Sequence, residues 1–231
     1  MNSPRQQEFG SGFLYQFTNR VYWLIILNLW FIISNSPLLF ILLVLEPSLS
    51  NISLYYLASI PFGPALAALL YSTLKYIQEN EESPTRDFIH AYKVNFKDTL
   101  KFWVPIVTFL SISIVNLQYL SQQPSTMNEM MSLALLILLF FLFLITIQLF
   151  IINAKFSFKT KDLFKLAMYS SFKQLKITTG NAAILFLFWV LLASTSDFLI
   201  LFLGSLLAYL LMLNSRKLLR SIENEFCQTN T

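Results

Sequence analysis

The sequence is poor in the residues that build metal sites, disulfide frameworks and charged surfaces. Its 231 residues include one Cys, one His, five Gly and eight Pro, and only 12% are charged. A single Cys excludes an intrachain disulfide framework and a zinc site made of Cys, and a single His excludes a His-rich metal site. Soluble domains carry about 25% charged residues, so the charge content is half the usual value. With so few Gly and Pro, a collagen-like chain and a flexible linker are also excluded.

Apolar residues dominate instead, because 56% of the chain is hydrophobic and 16% is aromatic. Such a chain has too much apolar surface to remain disordered. A membrane-spanning helix needs about 20 largely apolar residues. Four segments near that length contain no Asp, Glu, Lys, Arg or His: 21–45, 54–74, 102–120 and 133–152. The sequence therefore predicts an all-α integral membrane protein.

A fifth apolar region covers residues 182–213 and carries a polar run, Ser-Thr-Ser-Asp, at 194–197. It is too long for one span and short for two. Two short helices over 181–196 and 198–213 are the natural interpretation, and a hairpin that turns inside the bilayer is the alternative. We therefore predict a single membrane domain over 21–215, a bundle of five or six spans.

Lys and Arg are confined to four segments of the chain. The tail over 1–20 has 2, the loop after the second span 5, the loop after the fourth span 6 and the tail over 216–231 has 3, which together are all 16. Cytoplasmic loops attract Lys and Arg, because moving a cation across the membrane against the potential is unfavourable. Both tails and both basic loops are therefore predicted to be cytoplasmic. The net charge of +4 then reflects loops that face anionic lipid, and we expect no nucleic-acid partner.

The two basic loops have the pattern of amphipathic helices, with apolar and cationic side chains on different faces. We predict cytoplasmic helices over 85–101 and 160–176. Three residues favour a helix start in the first loop: Ser83 as a cap, Pro84 at the first helical position and Asp87 at the positive end of the helix dipole.

A weak internal repeat relates these two loops, since both open on a Thr-basic-Asp-apolar-apolar run, at 85–89 and at 160–164. One interpretation is that both helices lie in the membrane interface with their Lys side chains reaching outward. The other is that they dock a cytoplasmic partner. The candidate contact residues are Arg86, Asp87, Phe88, Tyr92, Lys93, Phe96, Lys97, Asp162, Phe164, Phe172 and Lys173.

Proline interrupts two of the predicted spans. Pro37 follows Asn35 and Ser36, so the first span is predicted to kink or to end there. Pro61, Gly63 and Pro64 predict a break in the second span. Such a break can expose a helix N-terminus to an anionic substrate and so form part of a transport path. It can also be a packing kink alone.

The sequence offers no positive support for an enzyme. It contains no H-E-x-x-H, G-x-S-x-G or phosphate-binding glycine motif, and its only His, His90, lies in the first basic loop. No ionisable residue lies within a predicted span, which argues against proton- or sodium-coupled transport. We expect no catalytic residue, no cofactor and no metal.

The order of these features resembles the YesL family of bacterial membrane proteins, also called the domain-of-unknown-function 624 family. The resemblance covers about residues 13–215, although residues 44–59 and Pro61 are extra. It is carried by four segments: Leu-Asn-Leu-Trp at 27–30, Gly-Pro-Ala-Leu-Ala-Ala-Leu at 63–69, the run from Asp to Lys at 87–97, and the Lys-rich second loop.

The resemblance implies a multi-pass protein of the bacterial cytoplasmic membrane, chiefly in Gram-positive bacteria. The activity of the family is not established, but its members are associated with carbohydrate uptake, particularly with ABC-type sugar importers. The Glu-Ala-Ala…Gly signature of sugar permeases is absent. Our first hypothesis is therefore a non-enzymatic accessory subunit or partner of such an importer.

Two other hypotheses stay open at this point. The chain is alternatively a stand-alone transporter or channel for a small solute, with its path at the break over Pro61, Gly63 and Pro64. A membrane enzyme acting on lipid or glycan is the third hypothesis. Gly204 and Ala208, a G-x-x-x-A pair in the last span, are compatible with a homo-oligomer, although the pattern is common by chance.

Overall fold

The computed structural model describes residues 13–79, 83–123, 125–194 and 200–227. These residues form helices and contain no strand. A short 3-10 turn, Leu49–Asn51, precedes α3, and a π-helical turn, Glu223–Cys227, follows α10. In chain order the α-helices are α1 (Phe13–Ser34), α2 (Ser36–Val44), α3 (Ile52–Ser59), α4 (Phe62–Glu79), α5 (Pro84–Gln122), α6 (Thr126–Asn153), α7 (Thr160–Lys173), α8 (Leu175–Ser194), α9 (Ile200–Asn214) and α10 (Arg216–Ile222).

Four of these helices, α1, α5, α6 and α8, are long and apolar enough to cross a bilayer. The pair Leu49–Ser59 and Phe62–Glu79 meets at a bend of 40° and makes a fifth candidate span if it is counted as one. The all-helical fold is thus confirmed for the described residues, with four to five helices that could span a membrane. A sixth span would need α9, whose 15 residues measure about 22 Å and fall short of a hydrocarbon core of about 30 Å.

The break in the first predicted span lies at Asn35, between α1 and α2. Pro37 occupies the first turn of α2, where the missing N–H of a proline costs nothing because that group has no helical partner in any case. The break before α4 falls at residues 60–61, so that helix begins at Phe62. Both interruptions therefore coincide with the prolines that predict them.

The first basic loop differs from the prediction, because residues 85–101 do not form a separate helix. They are the first part of α5, which runs without interruption for 39 residues, or about 58 Å. Pro105 lies inside this helix and does not end it. The composition changes from charged to apolar near residue 101. This change alters what surrounds the helix, but it does not end the helix, whose hydrogen bonds are made by the backbone. The second helix, predicted over 160–176, ends at Lys173.

The C-terminal segment over 216–231 is not simply a tail, because its first part is α10 and packs into the bundle. Leu218, Leu219 and Ile222 are buried in the main core. Their spacing places the three side chains on one face of a helix, and this apolar stripe is what draws the segment inward. Ser194, the first residue of the polar run predicted as a turn at 194–197, is the last residue of α8. The rest of that run lies outside the described residues.

Small residues let α4 approach its neighbours closely. Ala65, Ala67 and Ala68 are fully buried, and α4 packs on α1, α5 and α9. Near the end of α4 the Tyr76 ring stacks on Trp23 of α1, with 4.2 Å between the ring centroids. The end of α4 therefore lies beside the middle of α1, and the contact between Lys75 and Asp87 places the start of α5 next to it, at one end of the bundle. We call this the basic end.

Candidate partner surface and membrane cavity

Two of the predicted contact residues on α5 are buried and hold the helix in place. Asp87 Oδ1 accepts a hydrogen bond from Lys75 Nζ of α4 at 2.9 Å, and the Asp87 side chain is 8% exposed. The Phe88 side chain is 1% exposed and belongs to the main core. A residue with that exposure has no surface left for a partner. The structure therefore corrects the prediction for both residues, because they pack α5 against its own bundle.

An aromatic row extends from Phe88 along the same face of α5. The Phe88 and Tyr92 ring centroids lie 6.2 Å apart, and those of Tyr92 and Phe96 lie 5.5 Å apart. Tyr92 is half-buried and packs against the core. Phe96 is also half-buried. The apolar face that the sequence indicates is thus turned mainly inward.

The cationic face of α5 points the other way. Arg86, Lys93 and Lys97 are exposed and fall at helical spacing on one side of α5. None of the three makes an ion pair within the described residues. We call these three residues the basic stripe.

The predicted contact residues of α7 do not form a matching surface. Phe164 is half-buried and packs against the core, whereas Asp162 and Phe172 are exposed. The Phe172 ring lies 6.2 Å from that of Phe141 on α6. Although α5 and α7 touch one another, the Asp in each helix has a different role. Asp87 joins two helices, while Asp162 lies at the surface.

Lys173, the last of the predicted contact residues, binds the C-terminal segment of its own chain. Its Nζ donates a hydrogen bond to Glu225 Oε1 at 2.8 Å and lies 5.1 Å from the centroid of the Tyr169 ring. The hydrogen bond to Glu225 raises the pKa of Lys173, and the same bond lowers the pKa of Glu225. The pairing was not predicted, since it joins positions 52 residues apart and no local pattern connects them.

A second ion pair ties the same segment to the connection between α6 and α7. Lys155 Nζ donates to Glu223 Oε2 at 2.6 Å. Together with the buried leucines of α10, these two pairs hold the C-terminal segment against α7 and the connection that precedes it. The one signal in the sequence was the run of acids at Glu223 and Glu225, opposite in charge to the Lys-rich loop.

The predicted break over Pro61, Gly63 and Pro64 is a packing site. Gly63 and Pro64 are buried, and a Cβ added to Gly63 would overlap the ring of Trp103 on α5. Trp103 Nε1 in turn donates a hydrogen bond to the carbonyl oxygen of Ser59 at 2.9 Å. The glycine is therefore required because the indole of α5 lies directly against the backbone of α4.

A cavity of about 700 Å³ opens beside this break and is lined by α1, α2, α4, α5, α6, α8 and α9. Phe62 and Leu66 of α4 line it, whereas the three break residues do not. The lining is apolar except for Asn28, Asn35 and Thr146. A cavity of this size lies within the range of small-molecule sites, about 300–1,000 Å³.

Polar side chains also join the helices at the ends of α6, α8 and α9. Gln148 Nε2 donates to Thr178 Oγ1 at 2.9 Å, and the Thr178 hydroxyl donates to the Ser171 carbonyl at 3.1 Å. Asn181 Nδ2 donates to Ser215 Oγ at 3.0 Å. Such bonds hold helices together where apolar packing alone gives little specificity.

Within the described ranges, no group of three His, Cys, Asp or Glu side chains could hold a metal ion.

A comparison with known protein families gives a match over part of the chain. The family described as "Protein of unknown function, DUF624" matches residues 24–117, which extend from the middle of α1 nearly to the end of α5. No curated protein and no solved structure matches the chain significantly. The matched part contains Asn28, the Gly-Pro-Ala start of α4 and the Lys75–Asp87 pair. The resemblance to the YesL family, the domain-of-unknown-function 624 family, is thereby confirmed, and over residues 24–117 the chain carries that family's pattern.

Proposed function

We propose that this chain is a non-enzymatic membrane protein that docks a cytoplasmic partner on the basic stripe of α5. The observation that carries the proposal is that the two faces of α5 differ, since one is buried in the bundle and the other is exposed and cationic. Asp87 and Phe88 lock one face into the bundle, while Arg86, Lys93 and Lys97 project from the other. A rigid helix with an exposed cationic face suits an acidic partner surface, because complementary charge steers association and fixes its register.

The use of cations elsewhere in the chain supports the same proposal. Lys75, Lys155 and Lys173 are each bound to a carboxylate on another part of the chain. These three cations stabilise the fold by joining separate parts of the chain. The basic stripe has no such task within the described residues, so its charges remain available to a partner or to anionic lipid.

The class of partner rests on the family resemblance and on nothing in the geometry. Because family members are associated with carbohydrate uptake, we propose a subunit of an ABC-type sugar importer as the partner. The absence of the permease signature favours an accessory subunit over a permease. The cytoplasmic location of the basic end is part of this proposal and is supported by the confinement of Lys and Arg to two tails and two loops of the sequence.

The test is a charge reversal of the basic stripe. We expect Arg86→Glu, Lys93→Glu and Lys97→Glu together to lower sugar uptake and the co-purification of importer subunits, with the level of the protein in the membrane unchanged. The matched control reverses three exposed cations of α10, with Arg216→Glu, Lys217→Glu and Arg220→Glu. It changes the charge of the same end by the same amount.

Two results would count against docking on α5. Unchanged uptake and unchanged co-purification in the α5 variant would exclude the stripe as the contact surface. An equal loss in the α10 control would mean that the overall charge of the basic end, through topology or lipid contact, is what matters.

The cavity beside Phe62 favours a second candidate function, a stand-alone transporter. Its nearly apolar lining is unsuited to a sugar, whose hydroxyl groups would lie buried without partners. An apolar solute would fit better. This candidate predicts solute flux in liposomes that contain only this protein, and liposomes without flux would speak against it.

A further inference from the structure

The polar groups that line the membrane cavity differ in one respect that matters for a ligand. The Thr146 hydroxyl donates to the carbonyl oxygen of Leu142 at 2.7 Å, so its proton is used within its own helix. Asn28 Oδ1 accepts a hydrogen bond from the backbone N–H of Ser205 at 3.1 Å. Both side chains therefore have partners inside the protein.

Asn35 is the exception among the three. Its Nδ2 donates to the carbonyl oxygen of Phe31 at 2.8 Å, which sets the orientation of the amide. Its Oδ1 is buried and has no hydrogen-bond partner among the described residues. The residue is 4% exposed and lines the cavity. A buried carbonyl oxygen of this kind is costly unless a donor meets it.

We propose that the cavity binds a neutral amphiphile with one long apolar chain and a hydroxyl or amide N–H that donates to Asn35 Oδ1. The apolar walls exclude a sugar and a charged head group, because both would bury polar atoms without partners. A single donor at one end of a long chain satisfies the amide oxygen and covers the walls formed by residues such as Leu66, Leu110 and Phe143. This site lies apart from the basic stripe and does not depend on the docking proposal.

The apolar character of the walls also argues against water as the sole occupant. An apolar cavity holds water poorly, since each water molecule needs two to four polar partners. The cavity offers three polar side chains for about 700 Å³. A single water molecule bound to Asn35 would leave most of the cavity volume empty.

The test uses a 16-carbon alcohol that carries a photoreactive diazirine in mid-chain, with the full chain reconstituted in lipid nanodiscs. Cross-linked peptides are mapped by mass spectrometry, and unlabelled hexadecanol competes with the probe. We expect labelling of cavity-lining residues and displacement by hexadecanol. Hexadecyl methyl ether, which has the same chain and no donor, is expected to compete about fivefold less well, the effect of one hydrogen bond.

Three variants locate the interaction. Asn35→Leu should abolish the preference for alcohol over ether. Ser36→Leu, which makes the same kind of change at the neighbouring exposed position, should preserve it. Thr146→Phe fills part of the cavity and should lower labelling by both compounds. The comparison of alcohol with ether in the unaltered chain tests the proposal even if Asn35→Leu fails to fold.

Two outcomes would overturn the proposal. Equal competition by alcohol and ether would remove the role of Asn35 as acceptor. Labelling spread evenly over lipid-facing positions such as Leu43, which is 87% exposed, would show that the probe samples the bilayer and not the cavity. Lipid analysis of protein purified from its native membrane then identifies the source. A near-stoichiometric lipid alcohol or amide supports a resident lipid, while probe binding without such a lipid supports a delivered ligand.

Discussion

Lys75 Nζ lies 2.9 Å from Asp87 Oδ1, and this contact joins the end of α4 to the first turn of α5. The Asp87 side chain is 8% exposed and that of Lys75 is 24% exposed. The pair is thus partly removed from water, where a lone carboxylate or ammonium is expensive. Asp87 also lies in the first turn of α5, at the positive end of the helix dipole, where a carboxylate is favourable.

Asp87→Asn should lower the free energy of unfolding by about 2 kcal/mol, because Lys75 would lose its buried partner. The matched control is Asp98→Asn on the same helix. Asp98 pairs with Lys101, and both side chains are more than 60% exposed, so we expect a change of about 0–1 kcal/mol. Thermal unfolding in a mild detergent measures both variants. Equal losses would show that burial of the pair has no effect.

Neighbouring threonines on α8 test the polar network. Thr178 is 2% exposed and accepts a hydrogen bond from Gln148, whereas Thr179 is exposed and bonds to its own helix. Thr178→Val should cost about 1–2 kcal/mol, because Gln148 would be left unpaired. Thr179→Val should change stability by less than about 0.5 kcal/mol. The same unfolding assay applies, and a neutral Thr178→Val would exclude the network as a stabilising element.

Gly63→Ala separates packing from helix propensity by the sign of its effect. Propensity alone would stabilise α4 by about 0.5–1 kcal/mol. The added Cβ would overlap the Trp103 ring, so we expect a loss of about 1–3 kcal/mol, typical of overpacking. Combining the change with Trp103→Leu should cost less than the sum of the two single variants. A stabilised single variant would contradict the close contact.

The pair of Lys173 and Glu225 predicts how attachment of the C-terminal segment depends on pH. The pKa of Glu225 is lowered in the folded protein and that of Lys173 is raised. The contribution of Glu225 is therefore present above its unfolded pKa, about 4.3, and is lost as the pH falls through the lowered value. The contribution of Lys173 is present below its unfolded pKa, about 10.4, and is lost as the pH rises through the raised value.

A fluorophore on Cys227, the only cysteine, reports this attachment through its anisotropy. We expect a plateau near neutral pH and a fall toward both extremes. Lys173→Ala should lower the plateau, and Lys165→Ala, at an exposed position on the same helix, should leave it unchanged. A pH profile that is the same with and without Lys173 would contradict the role of the pair.

The orientation of the bundle is open to direct measurement. In a Cys227→Ser background, cysteine is introduced at exposed Lys93 near the basic end or at exposed Glu129 near the opposite end of α6. If the basic end is cytoplasmic, a membrane-impermeant maleimide should label Glu129→Cys in intact cells and Lys93→Cys only after permeabilisation. The reverse pattern would overturn the predicted topology and with it the docking proposal.

The sequence by itself determined the fold class, the positions of the helix breaks and the resemblance to a family. Hydropathy and proline position act over one or two helical turns, so the apolar runs and the breaks at Asn35 and before Phe62 are visible without a structure. The amphipathic pattern of 85–101 was equally visible, but its continuity with the following span was not. A change in composition marks a change of surroundings and leaves the helix intact.

Only the tertiary structure decided which charged and polar groups are buried and paired with another part of the chain, and which are exposed. Asp87 and Asp162 occupy equivalent places in similar local sequences, yet one is buried against Lys75 and the other is exposed. The difference arises because α4 lies beside the first turn of α5 and supplies a cation there. The pairing of Lys173 with Glu225 likewise depends on elements far apart in the chain, and so does the cavity that Asn35 lines. Contacts of that range leave no local signal, since each partner is an ordinary residue in its own segment.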